Sequence, residues 1–221
     1  MISLPYIRRT TYRAGGFSLI EMIAVIAILV VLMTAGVSLL SGTGAQSRRA
    51  GTDLLTGLVE QARTRAITSR THVVLAIAEP GDLANGDERC RIGMFRIDAW
   101  PNSSGAAVTS LNGVLLNRWQ TLDTGIALVG GEIEDVENPL DAPQVTITYG
   151  GAKTVKVHVL AFNPRGGLHH PTGSTPVVMR VAEGNYRGGV ASPYLRGAAK
   201  TIAENRLKIG RITARPYRID G

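Results

Sequence analysis

The chain has 221 residues, with 24 Lys and Arg against 17 Asp and Glu, for a net charge of +7. Its one cysteine, Cys90, excludes an internal disulfide and a multi-cysteine metal cluster, and reads as a small buried hydrophobe. Much of the charge is local: residues 1–16 hold Arg8, Arg9 and Arg13 and no acid, and without them the net charge is +4, too mild to argue for nucleic acid by itself.

This basic leader ends in Gly15-Gly16 and runs directly into the apolar stretch 17–40. A secretory signal is cut after its apolar region, whereas here the diglycine stands before it. The stretch is long enough to span a bilayer, since about 20 apolar residues suffice, and the arginines are expected to stay on the cytoplasmic side. A cut after Gly16 would leave the hydrophobic helix on the mature chain.

Glu21 lies inside that apolar stretch. An ionised carboxylate facing lipid costs roughly 2.5–3.5 kcal/mol or more, so Glu21 needs a partner. The amino group of Phe17, freed by the cut, is about one helical turn away, on the same chain or on a neighbour. That pairing would set the axial register of stacked helices.

Gly16-Phe17-Ser18-Leu19-Ile20-Glu21 resembles the class III signal of the type IV prepilin family. The resemblance implies that a prepilin peptidase cleaves between Gly16 and Phe17 and N-methylates Phe17. It also implies that the helix leaves the inner membrane for a pilus or pseudopilus, with an inner-membrane platform and an assembly ATPase as partners.

Ser41-Gly42-Thr43-Gly44 weakens the helix, after which helical spacing resumes in Leu54, Leu55, Leu58, Val59, Ala62, Ala66 and Ile67. Asp53, Glu60, Gln61, Arg63 and Arg65 take the other face. The reading is thus a leader over 1–16, a transmembrane or filament-core helix over 17–40, an amphipathic continuation over 41–70, and a β-rich periplasmic domain over 71–221. About 180 residues behind the apolar helix are enough for one domain with its own core.

From Thr71 the pattern turns to short β-rich runs, at 72–78, 91–97, 114–116, 126–129, 145–149, 154–162, 176–181 and 207–212, punctuated by Gly, Pro, Asn and Asp. A long helix followed by strands at hairpin spacing predicts an α+β fold with the helix packed on antiparallel sheet. Long loops are expected at 80–88, 101–111, 166–175 and 183–199.

Arg49-Ala50 with Leu54, then Ala62-Arg63 with Ala66-Ile67, and Val73-Val74-Leu75-Ala76-Ile77 look like the GspH/FimT-type minor pseudopilin family. So do Phe162-Asn163-Pro164-Arg165-Gly166-Gly167 and the terminal Ile209-Gly210-Arg211-Ile212. The resemblance implies a pilin-like spine helix with a sandwich of two antiparallel sheets. It implies a structural subunit that is not an enzyme and needs no cofactor: a minor pseudopilin of a type II secretion pseudopilus or, as the alternative, a minor type IV pilin acting in pilus assembly, adhesion or DNA uptake.

Members on the FimT side bind DNA through a Gly-Arg-x-Arg element, but here Thr213 stands at its last position. The tail still offers Arg206, Lys208, Arg211, Arg215 and Arg218 beside Tyr217, a basic strip that could hold phosphates and stack a base. Arg206 and Lys208 equally fit the solvent face of an edge strand. Pro164-Arg165-Gly166 reads as a tight turn. The Gly-rich insert 184–200, with Tyr186, Arg187, Tyr194 and Arg196, is either a contact loop or a mobile hairpin.

Metal and catalytic readings find little support. Adjacent His169 and His170 point to opposite sides of an extended chain, with no acid at ligand spacing. Asp82, Asn85, Asp87 and Glu88 are oxygen-rich but match no EF-hand loop. Glu132, Glu134, Asp135, Glu137 and Asp141 read as a solvated acidic loop.

Overall fold

The structure is a computed structural model that describes residues 19–41, 43–83, 88–101, 108–131 and 133–219, the side chains of 31–43 excepted. It divides into two units, one ending at Gly42 and the other starting at Thr43.

The first unit contains α1, Leu19–Ser41, apolar around its whole circumference. Leu19, Ile20, Met22, Ile23, Val25 and Ile26 are all exposed, and a helix with that surface needs an apolar environment or neighbouring helices to cover it. Among the described residues no helix is long and apolar enough to cross a membrane. In α1 the described side chains end at Val30.

The second unit opens with α2, Thr43–Ser69. Its strands, in chain order, are β1 His72–Ala78, β2 Arg91–Ile97, β3 Ser110–Asn112, β4 Val114–Leu115, β5 Gln120–Thr121, β6 Ile126–Val129, β7 Val145–Tyr149 and β8 Lys153–Phe162. Then follow β9 Leu168–His170, β10 Val177–Arg187, β11 Val190–Pro193, β12 Leu195–Arg196, β13 Thr201–Ile202, β14 Glu204–Ile209 and β15 Pro216–Ile219. The larger sheet has the order β3-β7-β8-β1-β2-β4, with β5 on β2 and β9 on β8. The smaller has the order β11-β10-β14-β15, with β6 on β10. The pairing is antiparallel except for β3 with β7. The architecture is α+β, as the helical spacing followed by short β-rich runs predicts.

Both sheets share a core with α2. Leu55, Leu58, Val59, Ala62 and Ala66 on the helix meet Val73, Leu75 and Ile77 of β1, Val177, Met179 and Val181 of β10, and Leu207 and Ile209 of β14. The other face of β1, through Val74, Ala76 and Ala78, joins a second core with Phe95, Ile97, Ile147, Val157 and Val159. A strand buried on both faces needs an unbroken apolar run, which is why 73–78 reads Val-Val-Leu-Ala-Ile-Ala instead of alternating. Arg70 closes α2 with φ +53°, the left-handed conformation that ends many helices.

Two expectations are corrected. The long loop expected over 183–199 is replaced by strand pairing, and of the two readings of the insert over 184–200 the structure shows a hairpin: β10 continues to Arg187 and returns through Gly188 and Gly189, both at positive φ, into β11. The terminal strand stops at Ile209 instead of reaching 212: residues 211–213 form a turn, from which the Arg211 side chain reaches Glu137. The chain then pairs once more with β14 as β15.

Candidate functional site: the assembly segment and the basic tail

Gly16 and Phe17, the expected cleavage and methylation positions, lie outside the described residues. Glu21 occupies the first turn of α1. An acid there sits favourably against the positive end of the helix dipole. It is also the one acid of α1, with Leu19, Ile20, Met22 and Ile23 exposed beside it. The helix thus offers an apolar surface with a single charge near its start.

The start of α2 is held to the smaller sheet by a buried polar network. Glu183 of β10 is nearly inaccessible, and its Oε1 accepts from Arg48 Nε at 2.9 Å while its Oε2 accepts from Arg196. Arg48 also reaches Asn205 Oδ1 at 3.4 Å, and Asn205 Nδ2 donates to Thr52 Oγ1 at 3.3 Å. A Cβ on Gly44 would stand 2.6 Å from the Glu183 carboxyl carbon, so a larger residue there would displace this carboxylate. At the other end of α2, Arg63 Nε donates to Thr213 O at 2.6 Å.

The turn after β8 follows the sequence reading. Asn163 Oδ1 accepts from the Arg165 and Gly167 amides at 2.9 and 3.0 Å, and Gly166 has φ +81°. Its role is to pack the turn on Ile67 of α2, which a Cβ at Gly166 would overlap.

The five basic residues of the tail do not form one free strip. Arg211 is turned inward: Nη2 donates to Glu137 Oε2 at 2.5 Å, Nε to Thr175 O at 2.5 Å, and Nη1 to Pro171 O. Arg206 donates to Glu204 Oε1 at 2.7 Å, and the same carboxylate is held by Arg180 at 2.8 Å. Arg218 reaches across to Asp53 on α2 at 2.8 Å. Lys208 lies over the Tyr217 ring, 5.9 Å from its centroid, and Arg215 is exposed. Arg215, Tyr217 and Arg218 are exposed, whereas Arg206, Lys208 and Arg211 are half-buried.

The acidic loop is likewise only partly solvated, because Glu137 holds Arg211 and Thr175, and Asp141 Oδ1 accepts from the Gly131 amide at 2.8 Å. Glu132 lies outside the described residues. Asp82 caps a turn instead of offering a ligand: its Oδ2 accepts from the Glu79 amide at 3.0 Å and from Gln144 at 3.3 Å. Asn85 and Asp87 lie outside the described residues. Among the described residues no three His, Cys, Asp or Glu are placed to hold a metal ion.

Sequence reasoning missed an aromatic cluster. His72, at the start of β1, lies 4.8 Å from His169 and 5.3 Å from Trp100, ring centre to ring centre, and His169 meets Trp100 edge-on at 4.8 Å. Burial lowers the pKa of His72, His169 and His170, with His169 adding repulsion to the other two. Only the β1–β8–β9 pairing brings His72 and His169 together, and nothing in their spacing announces it.

Cys90 is buried with its thiol pushed up to about 12 by desolvation. Burial likewise raises the neighbouring Tyr186, whose hydroxyl accepts from the Leu128 amide at 3.1 Å. Both are core groups.

Among solved structures, the chain is similar to the type IV minor pilin FimU of Pseudomonas aeruginosa, at 13% identity over 80% of this chain and 92% of that one, with a TM-score of 0.39. Among curated proteins, none matches. Residues 12–37 match the prokaryotic N-terminal methylation motif, and the segment that carries Gly16, Phe17 and Glu21 is therefore type IV prepilin-like.

Proposed function

We propose that the chain is a structural subunit, a minor pseudopilin of a type II secretion pseudopilus, cut after Gly16 by a prepilin peptidase and methylated on Phe17. The observation that carries this is the methylation motif over 12–37 with Glu21 as the one acid of an apolar helix. Before assembly the 17–40 stretch anchors the chain in the inner membrane with the β-rich domain in the periplasm. During assembly Glu21 pairs with a terminal amine and sets the stagger between subunits. The anchoring of α2 by Glu183 and Arg48 suits a domain that is carried by its helix.

The alternative is a minor type IV pilin, whose apolar helix and charge would work in the same way. In-cell crosslinking of the tagged full-length chain, followed by mass spectrometry of what it captures, separates the two. Other pseudopilins and a secretion platform are expected; a major pilin or DNA-uptake components would move the assignment to a pilus. Glu21→Ala should leave cleavage intact and abolish incorporation, and normal incorporation of that variant would refute the mechanism. Replacing Gly16 should trap the precursor, whereas a mature-sized band would refute the cut site.

A further inference from the structure

We propose that the cleft between the 133–143 loop and the turn after β9 is a docking pocket for a short cationic, apolar-flanked peptide segment of a partner protein. The cleft measures about 830 Å³, within the roughly 300–1,000 Å³ of ligand-binding pockets. Its walls are apolar, formed by Val108, Ile133, Val136, Ala142, Pro143 and Pro171.

The lining charges are all acidic. Of the three carboxylates, Glu137 is neutralised by Arg211. Glu134 is exposed, and Asp141 uses one oxygen on the Gly131 amide, leaving its second oxygen and its negative charge for a ligand. His170, also on the wall, is kept neutral near pH 7 by burial and by the adjacent Arg211 and His169, so it does not offset them. Two negative charges over apolar walls fit a Lys or Arg side chain, whose methylene stem lies on the apolar surface while its head meets the carboxylates. Neither ring nitrogen of His170 has a hydrogen-bond partner, and both are shut from water. Recognition of the occupant therefore rests on the apolar walls and the two carboxylates, and not on this ring.

The test uses the full-length chain in nonionic detergent and two fluorescein-labelled hexapeptides, one alternating Leu with Lys and Arg, the other alternating Leu with Glu and Asp. Anisotropy should rise saturably with the cationic peptide, and affinity should fall with salt between roughly 50 and 500 mM. The acidic peptide should bind at least about tenfold more weakly. The double variant Glu134→Gln/Asp141→Asn, which removes both charges while keeping an Oδ1 for the Gly131 amide, should lose about tenfold in affinity, and Ala142→Trp should block the cleft sterically. Absence of saturable binding, equal affinity for the acidic peptide, or undiminished binding to the double variant would each overturn the proposal. Full displacement of the peptide by free arginine amide at equal concentration would overturn it in favour of a small-molecule site.

Discussion

At the scale of single residues, the basic tail shows why a charge in a sequence is not yet a surface. Arg211 is only 13% exposed and satisfies Glu137, Thr175 and Pro171, tying the end of the chain to two distant loops. Arg211→Ala would strand Glu137 and two carbonyls, and is expected to cost about 2–3 kcal/mol in urea unfolding. Arg215→Ala, at an exposed site, should stay within about 0.5 kcal/mol of the parent chain. Equal stability of the two variants would show that the Arg211 cluster does not hold. A salt-dependent DNA affinity, if the chain has one, should therefore be sought in Lys208→Ala and Arg215→Ala, where folding is not also at stake. Cys90 makes a simpler case. With its thiol raised to about 12 and buried, it should resist a thiol reagent at about pH 8 in the folded chain and react fully once unfolded.

At the scale of elements, legibility followed burial. The runs at β1, β6 and β7 are rich in apolar and β-branched residues and β2 carries Ile92, Met94, Phe95 and Ile97, and their bounds can be read directly because each strand must fill a core. The hairpin β10–β11 was only half legible: Gly184, Gly188 and Gly189 fit a contact loop as well as a hairpin, and Gly184 is glycine because a Cβ would strike the Ser192 carbonyl across the ladder. β15 was hidden too, since it begins with Pro216 and carries Tyr217 and Arg218, the composition of an edge strand and not of a core one. The helix face was legible except at its ends, where Leu54 is half-buried and Ile67 is 41% exposed. What fixes α2 on the sheet could not be read, because Arg48 and Glu183 are 135 positions apart. Glu183→Ala would leave the Arg48 guanidinium, 15% exposed, without its carboxylate, and is expected to cost about 3 kcal/mol. Hydrogen exchange should quicken through the first turns of α2 while β1 and β8 stay protected; uniform protection along the helix would contradict an anchoring role.

At the scale of the whole molecule, the two units answer to different physics. α1 presents an apolar surface with one charge, whereas the second unit is stabilised by its own two cores and carries the titrating groups. Its stability should therefore depend on pH in a defined way. His72, His169 and His170 are held below their ordinary value by burial, so the folded chain binds fewer protons there than the unfolded chain. Their contribution is complete above about pH 6.5 and is lost as pH falls below that value. Glu79 and Asp82 act in the opposite sense: burial raises both, so their contribution is present at low pH and lost as pH rises through their raised values. As pH falls below about 6.5 the three histidines should lower Tm, with Glu79 and Asp82 opposing that fall. Trp100, in contact with His72 and His169, reports the same event locally. In a Trp119→Phe background its fluorescence should change over the pH window in which Tm falls. His169→Gln should flatten both curves, because it removes one titrating ring and relieves the repulsion on the other two. A fluorescence change that persisted unaltered in His169→Gln, or a Tm indifferent to pH over this range, would show that the cluster does not govern acid sensitivity.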